Sequence, residues 1–161
     1  LDADNAGIGE IAVRSDRAMA GYWRNRTATN AVMNGGWLRT GDLGTLDKDG
    51  YLTIADRKHD MIVSGGENIY PREVEDALSQ DPCVLEAAVF GLPDPHWVEK
   101  VAAAVVLRPG HSSTPDEMRD RVRSRLAGYK CPKQIFVCDD LPKSGAGKVL
   151  KKQLRQIYGN L

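Results

Sequence analysis

The chain has 161 residues, 42% of them hydrophobic but only 6% aromatic, enough for a packed core filled mainly by aliphatic side chains. Its 22 Lys and Arg balance 22 Asp and Glu, for a formal net charge of zero at pH 7. That balance argues against a general nucleic-acid or membrane-surface binder, and no apolar run approaches the roughly 18 residues of a transmembrane helix.

In chain order, residues 8–13 alternate loosely and read as a strand. Gly21-Tyr22-Trp23 leads into a polar stretch rich in Arg, Asn and Thr, an irregular or short helical connection. Trp37-Leu38, Gly44-Thr45-Leu46 and Tyr51-Leu52-Thr53-Ile54 read as short strands, with Asp47-Lys48-Asp49-Gly50 supplying hairpin-turn chemistry. This β-rich piece, residues 1–55, has little core of its own. The charged cluster 56–60 reads as a joint to a second unit, residues 61–161.

Beyond the joint a strand is expected at 61–64, broken by Gly65-Gly66. A turn between two elements needs one glycine, so the pair suggests more than a turn. After Pro71 the apolar Val74, Ala77 and Leu78 recur at helical spacing and predict a helix over 71–80. Runs 84–90 and 101–107 have strand length, with 91–95 as a turn-rich loop between them. Thr114-Pro115-Asp116-Glu117 opens a helix through a capping box; Met118, Val122 and Leu126 line one face and Gly128 ends it. A strand at 134–138 and a helix from about Lys148 complete an α+β domain, a small mixed sheet with helices packed on it.

Cys83, Cys131 and Cys138 are odd in number and lack CxxC spacing, which supports neither a disulfide framework nor a zinc site. No metal site is expected. The thiols read as partly buried in a reducing, cytoplasmic setting. From Tyr129 onward Lys130, Lys133, Lys143, Lys148, Lys151, Lys152 and Arg155 face only Asp139 and Asp140, which suits a polyphosphate ligand or a solvated helix face.

Several residues have two readings. Asp42 is placed to accept hydrogen bonds from a ligand's vicinal hydroxyls, or to close an Asx turn within Thr40-Gly41-Asp42. Gly65-Gly66 admits a ligand close to the backbone, or forms a tight turn. Trp97 lies beside a ligand or under the sheet as satellite core. PKSGAGK at 142–148 is not a P-loop, having Pro142 and Val149 where that motif needs Gly and Ser or Thr. Its glycines instead make a flexible loop able to deliver Lys148, the alternative being a solvated surface lysine.

Three stretches in order, GWLRTGDLG at 36–44, DRKHDMIVSGGENIYPREVE at 56–75 and PKSGAGK at 142–148, resemble motifs of the adenylate-forming acyl-CoA synthetases. That superfamily includes luciferases and peptide-synthetase adenylation domains. The resemblance covers essentially the whole chain and implies the last third of such an enzyme. Residues 1–55 would end the N-terminal AMP-binding domain, 56–60 would be the hinge, and 61–161 the mobile C-terminal domain. The implied chemistry is activation of a carboxylic acid by ATP with Mg2+ to an acyl-adenylate, then rotation and transfer to coenzyme A.

By the same resemblance, Asp42 and Arg57 hold the ATP ribose, and His59 is the pivot, where the family usually has Asp or Lys. Gly65, Gly66, Trp97, Tyr129, Lys130 and Lys133 fall at coenzyme A, although some relatives carry Arg where this chain has Cys131. Lys148 contacts the acyl carboxylate and the α-phosphate, and matches a site that bacterial protein acetyltransferases silence. The family's phosphate loop, magnesium ligand and acyl pocket belong to the N-terminal domain, so the chain alone is expected to lack ligase activity. Its start at Leu1 reads as a boundary within a longer protein. Two alternatives stand beside this reading: a peptide-synthetase adenylation domain with a carrier-protein acceptor, and a non-catalytic nucleotide- or coenzyme A-binding module.

Overall fold

A computed structural model describes residues 7–159, which separate into two units between His59 and Asp60. The first contains β1 (Gly9–Val13), α1 (Arg26–Val32), β2 (Met33–Asn34), β3 (Trp37–Leu46) and β4 (Leu52–Arg57). Its four strands form an antiparallel sheet centred on β3. The two short strands expected at 37–38 and 44–46 are one. Thr40-Gly41-Asp42 runs through it without turning, because Gly41 takes a φ of 78° and the ladder to β4 is bulged at Leu43/Gly44. The hairpin turn forms as expected: Asp47 Oδ1 accepts from the Asp49 and Tyr51 amides at 2.9 and 2.8 Å. Strand β4 then runs on through Asp56 and Arg57, which pair with Leu43 and Asp42.

The second unit contains β5 (Ile62–Ser64), β6 (Glu67–Ile69), α2 (Pro71–Ser79), β7 (Val84–Asp94), β8 (Val98–Leu107), α3 (Pro115–Arg123), β9 (Gln134–Val137) and α4 (Lys151–Tyr158). These strands make a mixed five-stranded sheet centred on β8. One edge of β8 carries β7 antiparallel; the other carries β5, at Ser64 opposite Val98, and then β9 in parallel over Ala102–Val105. Both faces are covered. Val74, Leu78, Val89, Val101, Val105, Met118 and Val122 pack on the side of α2 and α3, while Phe90, Ala102, Ala104, Leu141 and Leu154 pack on the side of α4. Double burial explains why 84–90 and 101–107 are continuous apolar runs rather than alternating ones.

Several boundaries differ from expectation, each for a local reason. Strand β6 was not foreseen. Gly65 and Gly66, at φ 60° and 87°, are the central residues of a two-residue hairpin between β5 and β6. A type I′ turn needs positive φ at both central positions, so the turn itself accounts for the glycine pair. Residues 91–94 are strand, and the turn is confined to 95–97, where Asp94 Oδ1 accepts from the His96 and Trp97 amides at 2.9 and 3.0 Å. Strand β7 pairs only with β8, and an edge strand tolerates Pro93.

The capping box at Thr114 and Glu117 is present, but α3 ends at Arg123, where the Arg125 and Leu126 amides both turn back to the Val122 carbonyl. Helix α4 starts at Lys151, because Lys143 and Val149 are bridged and the Lys148 carbonyl accepts from Ser144 at 2.8 Å. Cys131 is buried and Cys83 and Cys138 are half-buried; burial pushes the Cys131 and Cys138 thiols up. No helix among the described residues is long and apolar enough to cross a membrane.

Candidate functional site

In the first unit, Asp42 and Arg57 are register partners across β3 and β4, with Arg57 Nε 3.1 Å from Asp42 Oδ1. The short-range bond at this point is made by Thr40, whose hydroxyl accepts from the Asp42 amide at 3.1 Å and donates to the Ile11 carbonyl at 3.0 Å. The Asp42 carboxylate is thus presented beside a guanidinium and is half-buried, an arrangement able to accept from two neighbouring hydroxyls. Lys58, the residue after β4, is fixed twice. Its amide donates to the Gly41 carbonyl at 2.8 Å and its Nζ lies 2.9 Å from Glu10 Oε2. Lys58 and then Arg39 hold the Glu10 carboxyl below the usual carboxylate range. His59 follows, exposed, in the turn that ends the first unit. Asp60, the first residue of the second unit, meets Arg155 of α4 at 3.4 Å.

In the second unit a cleft of about 170 Å³ is lined by Ser64, Gly65, Glu67, Trp97, Tyr129 and Lys133. It forms where the β5–β6 hairpin and the segment entering β9 meet beside β8. The Gly65 amide donates to the Trp97 carbonyl at 2.9 Å, and the indole covers Gly65 so closely that a Cβ there would stand 2.7 Å from Trp97 Cε3. His96 packs edge-on against that indole at 4.4 Å between ring centroids. On the opposite wall the Lys133 amide donates to the Val101 carbonyl at 2.8 Å, which fixes the approach to β9. An exposed tyrosine ring, an exposed indole, a lysine and a bare glycine backbone can together bind an aromatic, anionic ligand. A larger hollow of about 510 Å³, lined by residues 20–26 and Thr29, contains none of the motif residues.

Lys148 ends a short hairpin-like loop. The Gly147 amide donates to the Ser144 carbonyl at 2.8 Å, the Lys148 amide lies 3.2 Å from Ser144 Oγ, and Lys143 bridges Val149. Gly147 takes a φ of 76° to close this turn. The loop carries its own hydrogen bonds, and the Lys148 side chain projects from it into solvent.

Residues 73–148 match the AMP-binding enzyme C-terminal domain, which takes in most of the second unit together with three cleft residues, Trp97, Tyr129 and Lys133, and Lys148. The chain belongs to the AMP-binding, adenylate-forming enzymes, and what it carries is their C-terminal region. It is 48% identical to a feruloyl-CoA synthase of Amycolatopsis sp over 94% of this chain and 31% of that one. Among solved structures it is similar to the o-succinylbenzoate CoA synthetase of Bacillus subtilis in complex with its acyl-adenylate intermediate. There the TM-score is 0.87 at 43% identity, covering 92% of this chain and 30% of that one. It is also similar to an amide bond synthetase of Marinactinospora thermotolerans, with a TM-score of 0.87 at 42% identity over 94% of this chain and 31% of that one. The chain spans less than a third of each of these proteins.

Within the chain the candidate residues fall into three places. Asp42 and Arg57 meet on one sheet; Gly65, Trp97, Tyr129 and Lys133 meet in the cleft; Lys148 stands on its own loop. Gly66 serves the hairpin turn and does not line the cleft. Lys130 turns to Glu73 of α2, both carboxylate oxygens lying 2.7 Å from its Nζ, and Glu73 raises its pKa against the opposing effect of burial. Ser64 and Glu67 of the lining were missed from sequence. Reading Ile62–Ile69 as a hairpin would have placed them opposite each other.

Proposed function

We propose that the chain supplies the C-terminal part of an ATP-dependent acyl- or aryl-CoA ligase. The observation that carries this reading is the cleft that joins Gly65, Trp97, Tyr129 and Lys133, found in a chain of the adenylate-forming family. In the first half-reaction a substrate carboxylate oxygen attacks the α-phosphorus of ATP and pyrophosphate leaves. Lys148 offsets the repulsion between the two anions and steadies the charge that builds on phosphorus. Asp42 accepts from the ribose hydroxyls, with Arg57 alongside. In the second half-reaction the coenzyme A thiol attacks the acyl carbonyl and AMP leaves. Tyr129 stacks on the adenine, Lys133 lies near the phosphates, and the pantetheine arm passes the bare backbone at Gly65.

Among the described residues no three His, Cys, Asp or Glu side chains gather as a metal site. Acetylation of Lys148 would remove the charge its role requires. A second reading of the acceptor, an amine in place of the thiol, is favoured by the likeness to an amide bond synthetase.

The test is ATP–pyrophosphate exchange over a panel of carboxylic acids, with the full-length protein and its Lys148→Ala variant. The expected result is exchange with one class of acid that falls by about two to three orders of magnitude in the variant. Exchange that survives the substitution would remove Lys148 from the mechanism, and no exchange with any acid would favour a binding module. Coenzyme A, an amine and a pantetheine-bearing carrier protein supplied in turn would then identify the acceptor by which of them yields product. The 161-residue chain alone is expected to form no acyl-CoA.

A further inference from the structure

We propose that Glu99 is a positioning residue for the cleft, its carboxylate clasping the Val63–Gly65 segment to β8 and so setting where the Trp97 ring lies. This rests on reading the cleft as a ligand site, and nothing in the motifs points to Glu99. Strand β5 is attached to β8 by one residue pair only, Ser64 opposite Val98. A single pair is a weak hold for the hairpin that forms one wall of a binding site. Two bonds flank it. On one side the Gly65 amide reaches the Trp97 carbonyl at 2.9 Å; on the other the Val63 amide donates to Glu99 Oε2, also at 2.9 Å. Three consecutive residues, Trp97, Val98 and Glu99, therefore grip three consecutive residues, Val63, Ser64 and Gly65. One of the contacts is made by a side chain.

Two glycines make room for this clasp. A Cβ on Gly91 of β7 would stand 2.5 Å from Glu99 Oε1, so the bare backbone at Gly91 lets the carboxylate lie across the sheet. A Cβ on Gly65 would meet the Trp97 ring. Val98, between the two gripping residues, sits at φ 70°, a conformation that a β-branched residue adopts only when its surroundings impose it. The bond from Val63 has a charged acceptor, the stronger kind of hydrogen bond. What it requires of Glu99 is an accepting oxygen, which glutamine also has.

The 161-residue chain and its Glu99→Ala, Glu99→Gln and Gly91→Ala variants would be compared by NMR, first free and then titrated with coenzyme A. The free-state readouts are the Trp97 ring-current shift of the Gly65 Hα protons and hydrogen exchange at the Val63 amide. Glu99→Ala should lose the shift, expose the Val63 amide and weaken coenzyme A binding by roughly tenfold, the size of one charge-assisted hydrogen bond. Gly91→Ala should do the same by displacing the carboxylate, while Glu99→Gln retains the shift and most of the binding. An unchanged Gly65 shift in Glu99→Ala would overturn the proposal. So would a loss of stability shared by all three variants while the shift stays in place. If the unsubstituted chain shows no coenzyme A binding but the free-state signatures follow this pattern, the clasp stands and the coenzyme A reading of the cleft falls.

Discussion

In the first unit the only hydrophobic side chains buried among the described residues are Ile11 and Leu43, while Tyr51, Leu52 and Ile54 stand exposed around β4. In the second unit both faces of the sheet are covered, and helices contribute Val74, Leu78, Met118, Val122 and Leu154 to its interior. The first unit is ordered by its β-ladder and by polar ties, with Glu10 taking Arg39 and Lys58, and Asp42 taking Arg57. Surface ties of that kind contribute little each, about 0–1 kcal/mol. The contrast separates two ways of holding a candidate site residue. Lys133 is fixed by a backbone bond to the buried strand β8, whereas Asp42 depends on a strand pair with little beneath it.

Paired substitutions test this contrast most strongly. Leu78→Ala removes a fully buried side chain and should cost about 2–5 kcal/mol, measured by urea unfolding of the second unit. Leu52→Ala, on the exposed side of β4, should stay within about 0.5 kcal/mol. Equal losses would break the comparison.

The 95–97 turn and Val98 just after it sharpen it, because there the second unit relies on local geometry instead of burial. Val98 is largely exposed at φ 70°, so Val98→Gly gives up little packing and should gain about 1 kcal/mol by releasing strain. A loss of stability in the same unfolding experiment would mean that no strain is stored there. The smallest effect is expected at Asp94, whose carboxyl is held below its ordinary 3.8 by the Trp97 and then the His96 amide. A depressed carboxyl adds stability that is fully present above 3.8 and is lost as the pH falls through the lower, folded value. Trp97 fluorescence should therefore report a loosened turn as the pH falls below about 4, and this step should vanish in Asp94→Asn. Persistence of the step in the variant would assign it to another group.

Elements whose signal is local were legible in the sequence. The Thr114–Glu117 capping box, the Asp47–Gly50 turn and the helix after Pro71 depend on residues within a few positions of one another. Boundaries set by distant partners were not. Strands β7 and β8 extend through 91–94 and back from Val98 because they pair with each other, and β6 is strand because β5 lies against it. The site divides in the same way. That Gly65, Trp97, Tyr129 and Lys133 belong together came from resemblance alone, since no local pattern brings residues so far apart in the chain into one cleft. Lys130 was expected at the ligand but turns to Glu73, 57 positions away. Glu99 lies outside the strand expected at 101–107, and only the neighbouring strand β5 gives its carboxylate an amide from which to accept.

The long β7–β8 pairing has a kinetic consequence. Its strands are joined by the few residues of the 95–97 turn, whereas β9 reaches β8 only after the whole of α3 and its flanking loops. The entropy lost on closing a loop grows with its length, so the β7–β8 hairpin closes at less cost than the parallel β8–β9 pair. The turn that carries Trp97 is thus also a place where a long stretch of the sheet can readily begin to zip.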